Sequence, residues 1–238
     1  MGFEEALRGG LKELGVALEP GTERLFILYY KILAKEAAVL NLTGITAPME
    51  VATKHFVDSL VLLKWVSFTP GECVLDVGSG AGFPGMPLGI AARGLRVVLL
   101  EAVKKKAEFQ RKVVESLGLK NIEVVWGRAE EYGRLDNYRE RFDWVTARAV
   151  APLRELAEYM LPFVRVGGRC IAFKGPKGRE EMAEAVSSVG VLGGRIEAVR
   201  EYRLPLTGDG RLLIFVMKER RTPAGYPRRP GIPRKRPL

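Results

Sequence analysis

Val74-Leu75-Asp76-Val77 runs straight into Gly78-Ser79-Gly80-Ala81-Gly82-Phe83-Pro84-Gly85. The first four residues form a short apolar run with one acid, which reads as a strand. The glycines that follow let the backbone turn tightly and approach a ligand that any Cβ would push away. A strand that breaks into such a turn before a helical stretch opens a doubly wound α/β sheet, whose ligands sit at the carboxyl ends of the strands.

The same pattern continues outward from this loop. Short apolar strands are expected at Cys73–Val77, Val97–Leu100, Ile122–Trp126, Trp144–Ala147, Cys170–Phe173 and Leu212–Met217. Helical patterns fall between them at about 86–93, 104–117, 152–164 and 179–189. This alternation implies parallel pairing with right-handed crossovers. Before it, residues 3–66 read as helical. Leu7, Leu11 and Leu14, then Leu25, Leu28, Tyr29 and Ile32, keep helical spacing on either side of Pro20-Gly21, and a third helix is expected from about Met49 to Trp65. The expected organisation is a helical extension over 1–68, an α/β domain over 69–218 and a tail over 219–238.

Three ligand classes compete for the glycine turn. A phosphate loop needs a terminal Gly-Lys-Ser/Thr, and none follows. Gly80, Gly82 and Gly85 satisfy the dinucleotide pattern G-x-G-x-x-G only formally. The third reading is the class I S-adenosylmethionine loop, an acid just ahead of G-x-G-x-G, here Asp76, Gly78, Gly80 and Gly82. A carboxylate in that place suits the ammonium of a methionine moiety better than a pyrophosphate. Glu101, closing the second strand, can accept both ribose hydroxyls. Dinucleotide enzymes also place an acid there, so it is Asp76 together with Glu101 that favours the sulfonium donor. At the third strand's end, Gly127-Arg128-Ala129-Glu130 would meet the adenine edge, and the fourth strand delivers Arg148 to the switch point. A guanidinium buried there needs an anion, such as the donor's carboxylate.

Composition narrows the partner. The 238 residues carry a formal charge of +10, with 38 Lys+Arg against 28 Asp+Glu. Lys218 to Leu238 holds eight basic residues, one acid and five prolines. Proline blocks regular ladders, so the tail is expected to be extended or irregular, a strap along RNA phosphates with Tyr226 available to stack. A solvated tail is the bland alternative. Lys104-Lys105-Lys106 opens a helix, where cations oppose the dipole, and is better explained by a partner than by helix stability. Two distant cysteines, Cys73 and Cys170, and one histidine, His55, leave no basis for a disulfide framework or a metal site. No apolar run approaches the roughly 20 residues that span a bilayer. The acidic start is not a secretory signal, so a cytoplasmic protein is expected. No feature demands more than a monomer.

What is missing also speaks to the chemistry. No Asn/Asp-Pro-Pro-Tyr signature follows strand four, and neither cysteine sits in a strand-end loop where it could attack a pyrimidine. Nucleophiles with their own lone pair remain, guanine nitrogen-7 among them. For these, alignment of an in-line displacement is the main requirement.

Several motifs together resemble the glucose-inhibited division protein B family, the bacterial 16S rRNA guanine-N7 methyltransferases. They are Asn41-Leu42-Thr43, Lys54-His55-Phe56-Val57-Asp58-Ser59, Leu75 to Gly85, Arg148-Ala149, Phe173-Lys174-Gly175 and Tyr226-Pro227-Arg228-Arg229-Pro230-Gly231. The resemblance covers essentially the whole chain. It implies a class I, Rossmann-like methyltransferase that uses S-adenosylmethionine on one guanine in the decoding-region loop of small-subunit rRNA. The donor contacts it implies are Gly78, Phe83, the Glu101–Ala102 strand end, Ala129, Glu130 and Arg148. Asn41, His55, Arg148 and Lys174 would serve catalysis. Arg128, Arg211, Arg221, Arg228, Arg229, Arg234, Lys235 and Arg236 would bind RNA, the match at Arg211 resting on Gly208-Asp209-Gly210-Arg211 alone. The residues themselves leave a small-molecule methyltransferase or a non-catalytic RNA-binding assembly factor open. His55 and Lys174 also read as structural or solvated side chains.

Overall fold

The computed structural model describes residues 1–238, the side chain of Ala38 excepted. Apolar residues at three- and four-residue spacing drive the first helix, α1 (Phe3–Leu14), which buries Phe3, Ala6, Leu7, Leu11 and Leu14. Its Gly10 lets the next segment come close, since a Cβ there would lie 2.8 Å from a Val57 methyl. A long second helix, α2 (Thr22–Leu40), ends at Asn41 in the left-handed region with φ of 50°. Asparagine tolerates that conformation better than most residues.

The third helix differs from expectation. Instead of one regular rod, residues 48–64 form a relay of α3 (Pro48–Val51), a π-helical stretch over Ala52–Val57, α4 (Asp58–Leu60) and a 3₁₀ turn over Val61–Lys64. Widened π turns are rare and tend to occur where side chains must be re-aimed. This one carries Lys54 and His55 and runs directly into Asp58.

The sheet follows. Its strands are β1 (Cys73–Val77), β2 (Arg96–Glu101), β3 (Ile122–Trp126), β4 (Phe142–Arg148), β5 (Val164–Lys174), β6 (Gly194–Arg203) and β7 (Gly210–Lys218). They lie in the order β3-β2-β1-β4-β5-β7-β6. The helices between them are α5 (Gly85–Ala91), α6 (Lys104–Ser116), α7 (Ala129–Tyr132), α8 (Leu153–Met160) and α9 (Gly178–Val191). Pairing is parallel from β3 through β5, as the alternation implies. It is antiparallel between β5 and β7 and between β6 and β7. That hairpin corrects the expectation of parallel pairing throughout. Six residues join β6 to β7, far too few for the crossover a parallel pair requires. The switch point lies between β1 and β4, where Asp76 stands opposite Thr146.

The amino-terminal helices share one apolar cluster with the sheet: Phe26, Tyr29 and Phe56 pack with Phe83, Met86 and Leu99. Each such fully enclosed side chain contributes roughly 1.5–3 kcal/mol. A second cluster, around Val145, Leu156, Phe163 and Ile214, fills the other face.

The tail also departs from expectation. It is docked on the protein rather than loose, and it includes a short helix, α10 (Ile232–Lys235). Lys218 is fully buried and donates to the Leu161 carbonyl at 2.5 Å and to Thr222 Oγ1 at 2.6 Å. Arg139 donates to the carbonyls of Thr222, Pro223 and Tyr226. The prolines prevent a ladder, and these side chains supply donors to carbonyls that a ladder would have engaged.

Candidate active site

The features expected near the switch point gather at the carboxyl edge of the sheet. The loop after β1 carries Gly78, Gly80 and Gly82 at φ of 66°, 60° and 101°. At Gly82 a Cβ would also lie 2.6 Å from the Tyr29 hydroxyl, which donates to the Ala81 carbonyl. Gly85 answers to space rather than torsion, because a Cβ there would sit 2.5 Å from Leu99 and 2.7 Å from Asp76. That close approach lets the Gly85 amide donate to Asp76 Oδ2 at 2.9 Å.

Asp76 is held by the protein itself. Its carboxyl group is wholly enclosed, with Thr146 donating to Oδ1 at 2.9 Å and Gly85 to Oδ2. Burial pushes its pKa up to about 7, against the pull of those two hydrogen bonds and of Arg148. It clamps the loop to strands β1 and β4, with both of its oxygens engaged by the protein.

Glu101 stands at the β2 end and is 5% exposed. Its Oε2 accepts from the Gly80 amide at 2.8 Å and its Oε1 from the Val103 amide at 2.7 Å. Each oxygen keeps a further lone pair for a hydroxyl. Beneath the loop, Gln110 Nε2 donates to Ser79 Oγ and the Gly80 carbonyl at 2.8 and 2.7 Å. Above Gly80 there is open space, since a Cβ would meet nothing nearer than the Gly78 carbonyl at 3.9 Å. Ala102 is exposed beside Glu101, and Ala129 is half-buried at the start of α7.

Phe83 lies between two rings, stacked on Tyr29 at 5.3 Å and on His55 at 4.9 Å, and the Arg148 guanidinium lies 5.4 Å from its centroid. Arg148 also shows why its anion need not be a ligand. Nη1 donates to Asp58 Oδ2 at 2.7 Å and to the carbonyls of Lys54 and His55. The side chains of this pair are 13% and 5% exposed. Sequence reading missed Asp58 as that partner, although it lies within the Lys54–Ser59 motif. It also missed Tyr202, whose hydroxyl donates to Asp58 Oδ1 at 2.7 Å. Immediately after Arg148, Ala149 has φ of 56°, a strained conformation for alanine of the kind found at functional turns.

His55 and Thr43 Oγ1 share a hydrogen bond of 2.8 Å. Burial, and then the positive charge of Arg148, lower the imidazole pKa to about 3, so it is neutral at physiological pH. Asn41, two residues before Thr43, is exposed. Lys174, at the end of β5, donates to the Ala151 carbonyl and to Glu181 Oε2, both at 2.6 Å, and Glu181 also receives the Leu153 amide. At 9% exposed it ties the loop after β4 to α9 and is no solvated turn lysine. Arg211 stands 4.0 Å from Asp58 and 3.3 Å from Asp209. His55, Arg148, Lys174 and Arg211 are therefore brought to one edge.

The expected RNA residues divide. Arg128 is exposed just before α7. Arg221 lies at the opposite, amino edge, near Glu140, and lines a separate cleft of about 660 Å³ there. Arg228 is already paired: its guanidinium and its amide both donate to Glu158, which is 1% exposed. A carboxylate enclosed on α8 thus holds it on the protein. The Gly231 amide donates to Glu130 Oε1 at 3.0 Å, so one oxygen of that carboxylate is engaged by the tail. Arg154, on α8, then donates to the carbonyls of Pro237 and Leu238. The tail thus climbs from the amino edge toward the start of α8, and its Arg234, Lys235 and Arg236 are exposed there. Arg229 is exposed partway up.

Among the described residues no group of three metal-ligating side chains gathers, the two cysteines are free, and no helix is long and apolar enough to cross a membrane.

The family model for GidB, rRNA small subunit methyltransferase G, matches residues 22–205. The ribosomal RNA small subunit methyltransferase G of Pelotomaculum thermopropionicum is 47% identical over 234 residues, covering 98% of each chain. That of Symbiobacterium thermophilum is 46% identical over 241 residues, covering 99% of this chain and 98% of its own. Among solved structures, a mutant of MtNAS in complex with S-adenosylmethionine superposes with a TM-score of 0.54 at 25% identity, over 83% of this chain and 76% of that one. TrmN from Thermus thermophilus shares the fold at 18% identity, with a TM-score of 0.52 over 68% and 48% of the two chains.

Proposed function

The chain belongs to the rRNA small subunit methyltransferase G family, and from that premise we propose that it methylates nitrogen-7 of one guanine in the decoding-region loop of 16S rRNA. It is an S-adenosylmethionine-dependent rRNA methyltransferase acting on the small subunit's RNA. The observation that carries the finer reading is the meeting, at one sheet edge, of the open glycine loop, the Glu101 carboxylate and Arg148.

The residues present fit the donor. Glu101 is already set by two backbone amides, so its remaining lone pairs would receive the ribose hydroxyls without reorientation. The open space over Gly80 leaves room beside them. Arg148 spends Nη1 on the amino-terminal segment, while its Nε and Nη2 have no protein acceptor among the described residues. Those two donors would hold the methionine carboxylate. When bound, S-adenosylmethionine would supply a methyl group activated by its sulfonium. Guanine nitrogen-7 attacks with its own lone pair, so the protein removes no proton at that atom and acts by alignment. A neutral His55 suits this role, since it can hydrogen-bond but does not act as an acid near pH 7. Ala102 and Ala129 would border the adenine. Asn41 and Lys174 would shape the entrance for the base. Arg128, Arg211, Arg229, Arg234, Lys235 and Arg236 would meet RNA phosphates.

The test is methyl transfer from radiolabelled donor to unmethylated 16S rRNA and 30S subunits, with 23S rRNA as control. Label in the small-subunit RNA supports the reading, and equal label in both RNAs would refute it.

A further inference from the structure

Trp126 is the last residue of β3, an edge strand, and pairs in register with Glu101. Half of its surface is exposed, unusual for an indole in a protein whose other large rings are mostly enclosed. The ring is not loose. Its Nε1 donates to the Ala102 carbonyl at 3.1 Å, so the only polar atom is satisfied and the plane is set. The Lys104 ammonium stands 5.6 Å from the ring centroid. Lys105 and Arg128 are exposed on the two segments that flank the ring, and Val103, next to Ala102, is 41% exposed. Lys104 has only a loose contact to Glu108 at 3.9 Å, with both side chains more than half exposed. Three consecutive lysines in the first turn of α6 oppose the helix dipole, so helix stability does not account for them.

We propose that Trp126, flanked by Lys104, Lys105 and Arg128, is a stacking platform for an unpaired base of the RNA substrate, a reading that rests on the rRNA methyltransferase activity above. The chemistry is that of single-strand recognition. Aromatic faces accept any base, while neighbouring cations follow the phosphates. A ring already fixed through Ala102 loses little freedom when a base settles on it. Only β2 separates the platform from β1 and the switch point, so the RNA that delivers the target base reaches Trp126 with a flanking nucleotide.

The probe is a fluorescently labelled oligouridylate, which is single-stranded and carries no guanine, read by anisotropy. Trp126→Ala is expected to raise its Kd by about tenfold, within the usual range for one stacked base. Trp126→Phe, which keeps a ring, recovers most of that loss, and the Kd for S-adenosylmethionine stays within about twofold in both variants. In the wild-type protein, which also has Trp65 and Trp144, the oligomer quenches intrinsic fluorescence, and Trp126→Phe removes most of the quenching. An unchanged oligouridylate Kd in Trp126→Ala would overturn the proposal, as would no binding of the oligomer by the wild type. A parallel loss of donor affinity would also overturn it, by making the indole a wall of the adenine subsite. The premise is read separately, by methyl transfer to 30S subunits with the wild-type enzyme. A platform that fails there leaves the activity standing.

Discussion

Arg148 and Asp58 lie ninety residues apart in sequence and form a 2.7 Å ion pair that locks the π-helical segment onto the end of β4. The pair joins the amino-terminal helices to the switch point and sets which Arg148 donors remain free. Tyr202 supplies Asp58's second hydrogen bond, and burial, then the charge of Asp58, raise the phenol's pKa.

Asp58→Asn keeps the shape but removes the charge, and should cost about 1.5–3 kcal/mol of stability, the range for hydrogen bonds to charged groups. Urea denaturation checks this. The variant should also lose kcat at saturating donor, because Arg148 is no longer held, while Asp58→Glu restores part of it. Wild-type kcat in Asp58→Asn would dismiss Asp58 as a positioning residue.

His55 is the single histidine, so proton NMR reads it without ambiguity. Its signal should show no titration from pH 8 down to about 4, given a folded pKa near 3. The sign for stability follows. The unfolded chain takes up the proton first, so this group's contribution is whole above about pH 6.5 and is lost as pH falls toward 3. A midpoint near 6.5 in the folded protein would contradict the enclosure of the ring.

Glu101→Ala should weaken S-adenosylmethionine binding by about 1.5–3 kcal/mol, through loss of a charged acceptor for two hydroxyls. Calorimetry measures it directly. Because Glu101 also receives the Gly80 and Val103 amides, Glu101→Gln should recover only part of the affinity.

The docked tail depends on Glu158. Glu158→Ala strands Arg228 and should expose the Arg228–Arg229 bond to trypsin. Each 1.4 kcal/mol of lost docking speeds cleavage roughly tenfold where opening precedes it. RNA affinity should fall with it. The salt slope should drop by about 0.7 for each single-strand phosphate no longer neutralised. An unchanged affinity and slope would show that docking of the tail does not set its contacts with RNA.

Much of this was legible from residue order. Cys73–Val77 stands where its apolar run places it, because a strand buried on both faces advertises itself. The edge strand Ile122–Trp126 was legible from Ile122, Val124 and Val125. β6 escaped notice because Gly194–Arg203 is an edge strand with charged residues at five of its ten positions and no apolar run. The π-helical turn carries no composition mark that separates it from an ordinary helix. At the site, Glu101 and Arg148 were visible as strand ends. What occupies their oxygens and nitrogens was not, since Gly80, Asp58 and Tyr202 are brought there by tertiary packing. Arg228 read as a free cation because nothing local announces that Glu158, on another helix, holds it.

The central claim is transfer of one methyl group to guanine nitrogen-7 in small-subunit rRNA. Nucleoside-resolved mass spectrometry of 16S rRNA, taken from cells lacking the enzyme and treated with it in vitro, tests this most directly. A single new 7-methylguanosine in the decoding-region loop is the expected result. Methylation on any other atom or base, with that guanine unmodified, would contradict it.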